Sequence, residues 1–181
     1  MKIMEHMGQH LRQMIRGVLK LTILTIITIK KDIFIENSSK IHFISNDKID
    51  DFFYFYGGGM PGIKGYTFYD PSLTGSGIFI NSTYLRKLLI DSRYFSFKDF
   101  IGLNKLALGT VYQFGNSYNE SSTNLNIDLN KNIKHSLGLE LRAKGFVFYG
   151  YPVALTLEYH LPLLDKYEKK GKTYFKLLFD F

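Results

Sequence analysis

Gly57, Gly59 and Gly62 fit the spacing G-x-G-x-x-G, in which amides unobstructed by side chains cradle a phosphate at a helix N-terminus. That chemistry needs a strand before the glycines and a helix after them. An aromatic strand is predicted before them. The following Gly65–Ser72, GYTFYDPS, has no helical period. Pro61 also removes an amide from the cradle. Lys64 is followed by Gly65 rather than Ser or Thr, so the P-loop form fails as well. His6 and His10 have the spacing of a helical metal pair, but Met7 stands where the zinc-protease version has Glu. Ser76, in TGSGI, lacks the nucleophile elbow and reads as part of a turn. The paired acids Asp50 and Asp51 read as a solvated strand edge. His42, His135 and His160 read as ordinary strand residues, and no Ser–His–acid set emerges. No enzymatic activity, metal or cofactor is expected.

The elements that would hold such groups are strands. With 181 residues the chain suffices for one domain, and 45% hydrophobic residues imply a substantial apolar surface to cover. Phe, Tyr, Ile and Thr favour strands over helices. The absence of Cys excludes disulfides and thiolate metal sites. The net charge of +7 suits an anionic partner: nucleic acid, anionic lipid or lipopolysaccharide phosphate. The cations do not run together into a basic arm, and nucleic acid is not expected.

Val18–Ile29 has the length of a signal-peptide core, but Lys30, Lys31 and Asp32 follow it instead of a small-residue cleavage site. Its β-branched content favours a strand, and on that reading the chain carries no export signal. Residues 1–16 read as a helical or disordered segment. Residues 41–56 end in DFFYFY, read as an aromatic strand. Five strands are predicted after the glycine-rich stretch, over 78–90, 105–114, 135–149, 152–161 and 173–181. Leu155, Leu157, Tyr159 and Leu161 share one face of their strand; Thr156, Glu158 and His160 share the other. Residues 115–134 and 164–172 read as polar connections. Such an antiparallel meander fits a soluble sandwich or a transmembrane barrel, and alternation alone does not separate them.

Three features together resemble the outer-membrane assembly-factor superfamily, the BamA-like or bacterial surface antigen barrels. GGGMPGIKGY, Gly57–Tyr66, resembles the family's G-G-x-x-x-L-R-G-[FY] element, which lies on a loop folded into the barrel lumen. Five strands follow that loop in the family, and five are counted here. Those barrels end on an aromatic residue of an alternating strand, as Phe175, Phe179 and Phe181 do here. A fourth, weaker match is VYQFGNSY, Val111–Tyr118, which is similar to the family's F-x-D-x-G-x-x-W element. The resemblance covers about residues 40–181, and is nearest to versions ending Tol-propeller-like outer-membrane proteins.

The resemblance implies an all-β antiparallel meander over 17–181, forming about seven strands of a larger transmembrane barrel. Its lumenal loop would run over 57–75, organised by Gly57, Gly58, Gly62, Lys64, Gly65 and Tyr66. The family's loop Arg is Lys64 here, and its partner Asp is Gln113. Lysine lacks the planar fork that binds a carboxylate bidentately. Lys64 is therefore expected to hold Gln113 by one hydrogen bond, or to anchor on Glu140 or Glu158. The implied setting is the outer membrane of a Gram-negative bacterium. The implied partners are membrane lipid or lipopolysaccharide, client proteins, and upstream barrel strands or oligomer partners. The implied role is protein insertion or translocation, or anchoring of a periplasmic domain. A chain of this length is too short for the family's barrel, so a fragment, a truncated product or an oligomer is expected, the fragment first. The rival expectation is a soluble basic β-sandwich that binds an anionic partner.

Overall fold

The computed structural model describes residues 18–44, 51–91, 95–97, 101–118, 133–148, 150–163 and 170–179. Segment 1–16 and Phe181 lie outside the described residues. The strands are β1 (Val18–Lys30), β2 (Ile33–Ile44), β3 (Phe55–Tyr56), β4 (Thr74–Gly75), β5 (Gly77–Ile90), β6 (Phe95–Phe97), β7 (Ile101–Tyr118), β8 (Lys134–Val147), β9 (Tyr151–Leu163) and β10 (Lys172–Phe179). Seven of them form one meander in the order β1-β2-β5-β7-β8-β9-β10, and β6 pairs with the start of β7. Every pairing along the path is antiparallel. The sheet is not closed into a barrel: β1 and β10 are its two edges. Six antiparallel steps separate them, so β1 and β10 run in the same direction.

The run Val18–Ile29 read as a strand is β1, which ends at Lys30; the chain turns at Lys31–Asp32 and Ile33 starts β2. One boundary corrects the sequence reading: residues 41–56 are not one aromatic strand. Ile41–Ile44 finish β2, Asp51–Phe53 form a 3-10 turn, and only Phe55–Tyr56 pair, with Thr74–Gly75. Of the predicted connection 115–134, Gly115–Tyr118 extend β7 and Lys134 opens β8; residues 119–132 lie outside the described residues.

The alternation is real, but burial runs opposite to that of a water-soluble sheet. Leu137, Leu139 and Leu141 of β8 are 47%, 58% and 41% exposed, while Ser136, Gly138 and Glu140 between them are buried. On β9, Leu155, Leu157, Tyr159 and Leu161 are exposed and Thr156, Glu158 and His160 are buried. Phe175, Leu177 and Phe179 of β10 are exposed as well. The sheet thus has an apolar outer face and a polar inner face. Part of the inner face is covered by residues 55–74, which fold back over it.

That covering segment carries the compact apolar core: Ile63, Tyr66 and Leu73 pack with Ile78 and Ile80 of β5, and Phe55 joins them. Gly57 N donates to Leu73 O at 2.7 Å, and Ile63 N donates to Gly57 O at 2.7 Å. Asp70 caps the following 3-10 turn, accepting from Ser72 N at 2.9 Å. Two glycines are required by geometry. A Cβ on Gly58 would lie 1.9 Å from the carbonyl oxygen of Thr67, and Gly65 adopts φ +97° beside Pro162.

Because the obstacle at Gly58 is backbone, it cannot rotate away. Gly58→Ala is expected to destabilise the protein by about 1–3 kcal/mol, as overpacking does. A lowered urea midpoint would show it, with limited proteolysis locating the first cut between residues 57 and 75.

Candidate functional site

The inner face poses an electrostatic problem. In register, Arg86 of β5 stands opposite Gly109 of β7, Gly109 opposite Glu140 of β8, and Glu140 opposite Glu158 of β9. Two carboxylates, each at most 3% exposed, are thus direct cross-strand neighbours. Like charges in that position repel, and buried unpaired carboxylates cost several kcal/mol each, on the order of the ion desolvation penalty. Two cations arriving from different directions relieve this.

Arg86 crosses β7 to reach Glu140: Nη2 donates to Oε1 at 3.2 Å, and Nε donates to Oε2. Gly109 makes that crossing possible, since a Cβ there would lie 2.9 Å from Arg86 Cγ. Arg86 Nη1 also donates to Glu36 of β2. The second cation is Lys64, from the covering segment, whose Nζ donates to Glu158 Oε2. Lys176 of β10 donates to the other oxygen, Glu158 Oε1, at 3.1 Å. Tyr84 lies between the two cations, its ring centroid 4.3 Å from Arg86 Cζ and 5.8 Å from Lys64 Nζ. Three carboxylates (Glu36, Glu140, Glu158) thereby meet three cations (Arg86, Lys64, Lys176).

Lys64 has further ties. Its backbone N–H donates to Gln113 Oε1 at 2.9 Å, and Gln113 Nε2 donates to Ser82 Oγ at 2.9 Å. Gln113 thus holds the main chain of Lys64 rather than its ammonium. Of the two carboxylates named from the sequence, Glu158 takes the ammonium. Glu140 does not, because Arg86 already occupies it; its assignment as a loop anchor is corrected. Gly65 N donates to Tyr174 Oη at 2.9 Å. The Tyr66 hydroxyl donates to the carbonyls of His135 and Leu163, at 2.8 and 3.1 Å, and tethers the loop to β8 and β9. Gly57 and Gly62 form the bend that presents Ile63 and Lys64 to the sheet, where a Cβ on Gly62 would lie 2.0 Å from Gly57 O. Phe175 and Phe179 lie on the outer face, away from this site.

Sequence reading missed Arg86 and its clamp, because nothing local distinguishes a strand arginine that crosses a neighbouring strand. It also missed a chain of polar contacts at His160. Nε2 lies 2.9 Å from Glu158 Oε2, and Nδ1 lies 3.2 Å from Ser136 Oγ. A carboxylate only accepts, which assigns the proton to Nε2 and leaves Nδ1 to accept from the serine hydroxyl. The set has the composition of a hydrolytic triad. Ser136 and His160 are both wholly buried, however, and Glu158 is committed to two lysines. With no path for a substrate to the hydroxyl, the chain of contacts acts as bracing for Glu158. Gly138 makes room for it, since a Cβ there would meet the His160 ring at 2.7 Å. Among the described residues no cluster of His, Cys, Asp and Glu could hold a metal ion.

Burial lowers the Lys64 pKa from 10.5 to about 8; Glu158 opposes the shift, and Lys176 adds to it by sharing the same carboxylate. A docked Lys64 therefore holds its proton less tightly than a free one, so protons oppose docking. That opposition is fully present below about pH 8 and is relieved as pH rises towards 10.5.

Comparison with protein-family models, curated proteins and solved structures finds no match to this chain.

Two outcomes follow from the carboxylate's shared role. Glu158→Gln strands the buried Lys64 ammonium and removes the carboxylate from the half-buried Lys176, and is expected to cost about 3–5 kcal/mol by urea unfolding. Lys64→Met leaves Glu158 its contacts with Lys176 and His160, so it should cost clearly less. As pH rises from 8 to 10, protease resistance of residues 57–75 should increase in the parent protein, and this increment should be missing in Lys64→Met.

Proposed function

We propose that this chain is part of a transmembrane β-barrel of the surface-antigen type in the outer membrane of a Gram-negative bacterium. Its outer face meets lipid, and the segment 57–75 is folded into the lumen. The observation that carries this reading is the inverted burial. A soluble sandwich would cover Leu137, Leu139, Leu141, Leu155 and Leu157 with a second sheet and turn Glu140, Glu158 and His160 to water. Here the leucines stand outside and the charged groups inside. Lipid is the solvent for which that arrangement is favourable.

Other features support the same reading. The strands β7, β8 and β9, of 18, 14 and 13 residues, exceed the roughly 9–11 residues a tilted strand needs. The polar side chains on the outer face between β2 and β5 satisfy one another. Asn37 Nδ2 donates to Thr83 Oγ1 at 2.8 Å, and Asn81 Nδ2 donates to Ser39 Oγ at 2.7 Å. Mutual pairing is what an apolar surround demands of such groups.

The two open edges define what completes the barrel. Since β1 and β10 run in the same direction, fully antiparallel closure takes an odd number of further strands. A second copy in the same membrane orientation would join β10 to β1 in parallel at both seams. Additional strands of a larger barrel fit this constraint better than a symmetric dimer. The loop, fixed by Lys64, Gln113 and Tyr66, then occupies the lumen. The biochemical role is insertion or translocation of client proteins, or anchoring of a periplasmic domain.

One substitution separates lipid from water at the outer face. Leu139→Arg, at an exposed position, would change the stability of a soluble protein by no more than about 0.5 kcal/mol. Facing lipid near mid-strand, it is expected to cost about 2–4 kcal/mol. Urea titration of protein refolded into vesicles measures it, and unboiled gel migration reports the folded fraction. Unchanged stability, together with a monomer soluble without detergent, would refute the membrane reading.

A further inference from the structure

At the end of the sheet remote from the glycine-rich segment, the inner face holds a cavity of about 430 Å³. Lys105, Arg142 and Lys144 line it, with Phe146, Pro152 and Leu178 among its apolar walls. Lys105 and Lys144 are direct cross-strand partners, and the neighbouring pair is Ala107 with Arg142. Like charges in that register repel. In the cluster around Glu158 every cation has a carboxylate. Here, among the described residues, none lines the cavity. Asp91 reaches Lys105 from outside it, at 3.3 Å, with both side chains 46% exposed, an arrangement of little strength.

Arg142 supplies a second, independent sign. Its Nε is buried and has no hydrogen-bond partner among the described residues. A buried donor left unmade costs about 1–3 kcal/mol, more when charged, and such groups in native proteins call for an explanation. Three cations gathered on one stretch of the inner face, one with an unused buried donor, have the charge and donors to receive an anion. A register irregularity between Leu103 and Lys105 sits directly beside it, a common means of re-aiming a side chain next to a binding site.

We propose that this cavity binds a phosphate-bearing ligand: Arg142 and Lys144 hold the phosphate oxygens, Lys105 adds charge, and Phe146 and Leu178 contact an attached apolar group. Guanidinium offers the paired donors that phosphate geometry favours, while the lysines act as point charges. The volume suits a headgroup or small phosphate ester rather than a polymer. The site lies on the inner face and does not depend on what covers the outer one.

Calorimetric titration of the full chain, refolded in a maltoside detergent, tests this with two probes: inorganic phosphate and dihexanoyl phosphatidylglycerol. Saturable binding of phosphate is expected. Arg142→Gln and Lys144→Gln should each weaken it roughly ten- to hundredfold, the worth of a charge-assisted hydrogen bond. Arg142→Lys should fall between, and Lys87→Gln, an exposed cation on the outer face, should change nothing. Tighter binding of phosphatidylglycerol than of phosphate identifies a lipid headgroup; binding of phosphate alone identifies a soluble ester. Absence of saturable binding by both probes overturns the proposal. So does binding that Arg142→Gln and Lys144→Gln leave intact, or that Lys87→Gln weakens equally. Thermal unfolding of the exposed-site variant Lys144→Gln guards against loss of fold as the cause.

Discussion

Glu140 and Glu158 sit side by side on neighbouring strands with almost no access to water. That placement constrains much of what surrounds it. Two adjacent buried carboxylates are tolerable only if each receives a cation. One comes from the wall, as Arg86 reaching across Gly109. Glu158 receives two, Lys176 from the edge strand β10 and Lys64 from the covering segment. The glycines that let this segment bend tightly, the amide of Gln113 that grips its backbone and the hydroxyl of Tyr66 that tethers it all deliver one ammonium group to one oxygen. An arginine would bind a carboxylate through a planar fork. Lysine reaches Glu158 as a point charge and leaves the second carboxylate oxygen to Lys176.

The same electrostatics organises the inner face into two regions. Around Glu158 the charges balance and the polar groups brace one another down to His160 and Ser136. Towards the opposite end, Lys105, Arg142 and Lys144 gather without that compensation. A fold that pairs its buried charges so completely at one end makes this cluster, whose ion pair is the exposed Lys105–Asp91 contact, informative. The outer face is simpler: among the described residues no second layer covers its aliphatic side chains, and the core lies between the loop and β5.

The all-β antiparallel meander was legible because period-two alternation is a local property of strands. Leu155 through Leu161 and their neighbours declare it without any partner. The end of β1 is marked by the charged run Lys30–Asp32, where a two-residue reversal leads into Ile33 and β2. The short pairing of Phe55–Tyr56 with Thr74–Gly75 was read as part of a longer strand, since aromatic composition favours strands whether or not a ladder partner exists. The glycine-rich segment could be recognised as a bend with a charged tip. Its hydrogen-bond partners, up to 109 residues away in sequence, could only be named as alternatives.

Sequence alone determined the strands and their two unlike faces, because side-chain type and spacing are written residue by residue; Lys64 entered as a candidate through the family resemblance of its glycine-rich segment. Tertiary structure decided which face is buried. Alternation is symmetric with respect to inside and outside, and only a covering segment breaks that symmetry. It also decided that Lys64 goes to Glu158 and Arg86 to Glu140. Strand register fixes which charges become neighbours, and Gly109 determines which cation can cross to meet them. The Ser136–His160–Glu158 chain and the cationic cavity at Arg142 belong to the same category. Each joins residues from separate strands, and no single stretch of sequence carries their geometry.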